Sequence, residues 1–145
     1  MTDPFVRRTE AAQKTLDVWS KRPMKLGTSD CVRMVAAHLR LLGYKVKLPP
    51  SGSYRTAASA LKALKAAGFA SVEEALDGQG LERIAPAAAI VGDILMLPGV
   101  DRLGGLTVAL GNGRVVGWHE EVPGGAAVLQ PIEYVTAWRV TPRTP

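Results

Sequence analysis

The feature that most restricts the fold is a change of hydrophobic period near Pro86. Before it, apolar residues recur at helical spacing; after it, they run in short blocks broken by glycine and proline, as strands do. Asp3-Pro4 reads as a helix start, a capping oxygen followed by proline in the first turn, and Phe5, Ala12, Leu16 and Trp19 continue it. Thr28-Ser29-Asp30 caps a second helix from about Asp30 to Leu42, which Gly43 stops. A third helix carries Ala57, Ala60, Leu61 and Leu64, and Ser71 with Glu74 gives the capping signature of a short fourth. Ile90 to Leu97, Leu106 to Leu110, Arg114 to Trp118, Ala126 to Leu129 and Ala137 to Val140 read as strands. Gly111-Asn112-Gly113 marks a hairpin, because Asn and Gly accept positive φ. The expectation is an α+β domain with N-terminal helices packed on a C-terminal antiparallel meander.

A chain of 145 residues has room for one domain, and no linker or repeat divides it. We read 1–145 as one unit: an N-terminal helix over 1–24, a helical part over 25–85 and strands over 86–145. No stretch approaches the roughly 20 apolar residues of a membrane span, and the first residues lack the apolar run of a signal peptide. The expected protein is soluble and made in a reducing compartment. Residues 1–48 hold 10 Lys and Arg against 4 Asp and Glu, a net of +6, whereas the remainder is near neutral. No aromatic residues interleave with these charges and no nucleic-acid motif is present, so nucleic acid is not the expected partner. Most of this charge reads as solvated surface, and we assign Arg7, Arg8, Lys14, Lys21, Arg22 and Lys25 to a contact surface.

Chemistry is limited by scarcity: one cysteine, Cys31, and two histidines, His38 and His119. A disulfide within the chain is impossible, and no spacing suggests a metal site or a cofactor loop. Cys31 falls in the first turn of the second helix, where unsatisfied N–H groups and the helix dipole favour a thiolate. The same position also suits a small buried side chain.

Gly27-Thr28-Ser29-Asp30-Cys31, opening a helix, resembles the Asp-Cys helix start of NlpC-like, papain-fold cysteine peptidases of bacterial cell walls. Val91-Gly92-Asp93 leading into Ile94-Leu97 is similar to that family's Pro-Gly-Asp strand, and the Gly111-Asn112-Gly113 hairpin to its central hairpin. Tyr54-Arg55-Thr56 and Ala137-Trp138-Arg139 look like segments of phage tail proteins built on the same peptidase-like fold. The resemblance implies a papain-like architecture with Cys31 at the nucleophile position. It also implies a place in a virion tail after synthesis in the host cytoplasm, tail or baseplate proteins as partners, and peptidoglycan as the substrate of any activity.

The departures from the family are specific. The two positions that the resemblance assigns to acid–base residues are Gly105 and Gly117. Amide hydrolysis by cysteine needs an imidazole to hold the thiolate and protonate the leaving amine. His38 lies about 10.5 Å along the helix from Cys31 at 1.5 Å per residue, beyond reach, and reads as a partly buried residue of the helix face. His119 depends on hairpin register. A two-residue loop sets it opposite Leu106, away from the Gly105 side. A three-residue loop sets it opposite Gly105, where it could serve Cys31 with Glu120 or Glu121 orienting it. The alternative is a hydrated histidine at a strand end. The resemblance and its departures thus imply a degenerate peptidase fold serving as a non-catalytic component near the tail tip, with an active cell-wall peptidase using Cys31 and His119 as the other possibility.

Overall fold

The computed structural model describes residues 3–99, 105–119 and 121–144. Its helices are α1 (Pro4–Trp19), α2 (Cys31–Leu41), α3 (Ala57–Ala66) and α4 (Val72–Asp77). Its strands are β1 (Glu82–Ile84), β2 (Ile94–Leu97), β3 (Gly105–Gly111), β4 (Arg114–His119), β5 (Val122–Leu129) and β6 (Thr136–Arg139). The class is α+β, as expected. No described helix is long and apolar enough to cross a membrane.

Each of the four α-helix starts is held by a side-chain cap. Asp3 accepts from the Phe5 and Val6 amides, Asp30 from Arg33, Thr56 from Ser59 and Ser71 from Glu74. Each cap satisfies one or two of the amides that a helix start leaves without partners. The buried stripe of α1 is Arg8, Ala11, Ala12, Thr15 and Trp19, while Phe5 is 58% exposed. A rule that reads only apolar residues misplaces this stripe. Arg8 is buried because its guanidinium pairs with Asp93, at 2.9 Å.

All strand pairs are antiparallel, in the order β1-β6-β2-β3-β4-β5. Strands β2 to β5 form the expected meander, but β6 returns to lie between β1 and β2, so the sheet as a whole is not one. β1 also precedes the expected helix-to-strand boundary at residue 86. Of the run Ile90 to Leu97, only Ile94–Leu97 is strand. The residues before it turn at Gly92 (φ 88°), with the Asp93 amide donating to the Ile90 carbonyl. Ile94, Met96, Leu106, Val108, Val116 and Trp138 face the helices. Leu95, Leu97, Ala109, Val115, Leu129 and Ala137 build a second, smaller cluster on the other face. Both faces are thus covered, which explains why β2 is apolar throughout rather than alternating.

Asp93 holds the layers together. Fully buried, it pairs with Arg8 of α1 and Arg139 of β6 and accepts the Ile90 and Val140 amides. Arg8, assigned from sequence to a contact surface, is therefore an internal residue.

Candidate functional site

Cys31 is the first residue of α2, directly after the Asp30 cap, and is 9% exposed. Asp30 is more buried still. One carboxylate oxygen accepts the Arg33 amide, and the other accepts the Gly27 amide and the Tyr54 hydroxyl at 2.8 and 2.9 Å. Burial and the adjacent Asp30 carboxylate push the Tyr54 hydroxyl up to about 12. Gly27 takes φ 89°, and a Cβ there would collide with the Tyr54 carbonyl. Asp30, Tyr54 and Gly27 thus fix the turn that delivers Cys31. The role of Tyr54 was not legible from the sequence, because nothing in its neighbourhood indicates a partner 24 residues upstream.

Cys31 lines two clefts. The first is an apolar space of about 170 Å³ between α2, α3 and α4. The second, of about 420 Å³, lies at the end of the sheet and is bordered by Met24, Cys31, Gly105, Trp118, His119 and Pro123. Cys31 and His119 therefore share one cleft, the buried thiol inside and the exposed imidazole at the rim.

Register does not bring His119 onto the cysteine side. Asn112 and Gly113 form a two-residue turn closed by Gly111 and Arg114, and a bulge between Ala109 and Gly111 then shifts the pairing. Beyond the bulge Val108 faces Val116, the offset that a three-residue loop would give. Continued, it sets His119 opposite Gly105. The shared face is nevertheless the wrong one. A Cβ at Gly105 would touch the Leu97 Cβ at 3.7 Å, and one at Gly117 would meet the Thr107 Cγ2 at 2.7 Å. Leu97 belongs to the cluster away from the helices. By strand alternation, His119 projects from that side too. Leu106 and Trp118 lie on the helix side of the sheet, Trp118 edge-on to Trp19 of α1.

The exposed His119 ring is also engaged by the backbone. Its Nδ1 accepts from the Glu121 amide at 3.1 Å, so the neutral ring carries its proton on Nε2. Glu121 thus meets His119 through its backbone, not through the carboxylate expected to orient it. Glu120 lies outside the described residues.

His38 is completely buried rather than partly so. Its Nε2 donates to the Gly92 carbonyl at 2.8 Å, and its Nδ1 lies 3.0 Å from the Thr15 hydroxyl, which donates to it. Burial holds its pKa below the ordinary 6.5, with Arg8 adding to the effect. Below pH 6.5 the unfolded chain takes up a proton that the folded chain refuses. Stability should therefore fall with decreasing pH, by up to about 1.4 kcal/mol per unit. Urea unfolding at about pH 7 and about pH 5 should show this loss, and His38→Gln should flatten it. An equal loss in the variant would assign the effect to other groups.

Of the basic residues expected at a contact surface, Lys14, Lys21, Arg22 and Lys25 are exposed and Arg7 is half-buried. Arg22 is tied into the fold: its guanidinium stacks on Trp19 at 4.6 Å, and its carbonyl accepts from the Trp118 indole and the Ala126 amide. Among the described residues, no three of His, Cys, Asp and Glu converge as metal ligands would. No curated protein matches the chain. Residues 6–140, a span that includes Cys31, Asp93 and His119, match the family model described as domain of unknown function (DUF6950), and the chain belongs to that family.

Proposed function

We propose that this domain is a non-catalytic relative of the NlpC-like, papain-fold cysteine peptidases that serves as a structural or assembly component of a phage or phage-like tail, near its tip. The non-catalytic part rests on one observation. Glycines, Gly105 and Gly117, stand at the two positions that the resemblance assigns to acid–base residues, and glycine has no side chain with which to exchange a proton. The tail part draws on the resemblance carried by Asp30-Cys31, Tyr54-Arg55-Thr56, Gly92-Asp93 and Ala137-Trp138-Arg139. In this reading other tail or baseplate proteins are the partners, and Arg7, Lys14, Lys21, Arg22 and Lys25 are the basic residues available to meet them.

The competing reading is a cysteine peptidase or amidase acting on peptidoglycan peptides. It is favoured by the cleft that Cys31 and His119 share. Release of peptides from purified peptidoglycan separates the two. Wild type and Cys31→Ala are expected to give the same background rate. A wild-type rate well above that of Cys31→Ala, lost again in His119→Ala, would establish the enzyme and overturn the proposal.

A further inference from the structure

We infer that the cleft between α2, α3 and α4 binds a short-chain amphiphile with an anionic head, its hydrocarbon lying along α2 and its carboxylate at Lys47. This goes beyond the tail reading and does not depend on whether Cys31 reacts.

The inference begins with α3. Ala57, Ala60, Leu61 and Leu64 form an apolar stripe against the core, yet no residue of this helix is fully buried. Its stripe borders a space instead of filling one. That space, about 170 Å³, is walled by Val35 and Leu39 of α2, Ala60 and Leu64 of α3, and Val72 and Leu76 of α4. Protein interiors are otherwise close-packed, so apolar walls around a gap forgo contacts that a fitting hydrocarbon would restore.

Size and charge narrow the occupant. An apolar cavity of roughly 150 Å³ holds one benzene, so this cleft suits on the order of six carbons. Drug-sized ligands take about 300 Å³ or more, and a folded peptide segment needs more still. Asp30 and Tyr54 also line the cleft, but the carboxylate oxygens are already taken by the Gly27 and Arg33 amides and the Tyr54 hydroxyl. That end would repel an anion, and with three donors already on Asp30 it leaves a cation little acceptor capacity. Lys47 lies elsewhere on the lining, exposed and without an ion pair among the described residues. Lys45 and Arg40, both exposed, belong to the same stretch of chain. A carboxylate head is therefore matched in sign at Lys47 and opposed at Asp30.

The test is amide chemical-shift titration of the full chain with hexanoate, 1-hexanol and hexylammonium. Hexanoate is expected to shift resonances of α2, α3 and α4 and to bind at least tenfold more tightly than hexylammonium. Lys47→Glu should reverse that order while leaving 1-hexanol unchanged. Ala63→Leu, which places a larger side chain in the cleft, should abolish all three, with Ala60→Leu as a second filling variant and circular dichroism confirming the fold of each. Equal affinity for the two charged probes would overturn the inference. So would shifts confined to Trp118 and His119, or the absence of any shift up to the solubility limit.

Discussion

Asp93→Ala is expected to lower the stability of the domain by about 3–5 kcal/mol, as removal of one partner of a buried ion pair does. The loss has two parts. The Arg8 guanidinium, 7% exposed, would keep its charge in a dry site, with the Val91 carbonyl as its remaining acceptor among the described residues. The Ile90 and Val140 amides would lose the carboxylate that accepts them. Small domains have about 5–15 kcal/mol in total, so the variant should melt far below wild type or fail to fold. A double variant, Arg8→Met with Asp93→Ala, should recover part of the loss, because a buried apolar side chain has no charge to strand. Urea unfolding of the three proteins measures this. A loss under about 1 kcal/mol for Asp93→Ala would place the buried network outside the stabilising core.

Asp30→Ala should cost about 3 kcal/mol. A lost N-cap accounts for about 1 kcal/mol, and orphaning the buried Gly27 amide and Tyr54 hydroxyl for about 1–3 kcal/mol. The milder Asp30→Asn gives a reading specific to the site. With the negative charge gone, the Tyr54 hydroxyl should titrate nearer its ordinary 10.0 than the wild-type value of about 12, burial retaining the rest of the shift. Spectrophotometric titration of tyrosinate follows this directly. An unchanged midpoint would mean that burial alone sets it.

How far the sequence foretold this arrangement depends on whether the deciding interaction was local. Helix starts were legible because a cap and its amide are two or three residues apart, as at Asp3, Asp30 and Ser71. The hairpin was legible because Asn112 and Gly113 both take positive φ. β1 was not: three residues, Glu82-Arg83-Ile84, carry no period, and their strand character comes from Ala137, Trp138 and Arg139 across the sheet. The burial of Arg8 depends on an acid 85 residues away. At the site, Cys31 was placed correctly on its helix because the cap is local. The facing of His119 turned on a single bulge at Leu110 and on strand alternation beyond it. The offset alone agreed with a catalytic arrangement, and the side-chain directions did not.

The position of β6 sets the order in which the fold can close. β6, the last described strand, lies between β2 and β1, so β1 can join the sheet only through it. A nascent chain that has emerged only through Leu129 can pair β2 to β5, yet β2 then presents an open, wholly apolar edge, Ile94-Leu95-Met96-Leu97, while β1 has nothing to join. Edges of that kind invite pairing with other chains. Closure awaits Thr136–Arg139, which carries both Trp138 of the core and Arg139, the partner of Asp93. The domain is thus a late-closing clasp, in which termination or cleavage a few residues before Thr136 turns a folding unit into an aggregation-prone one.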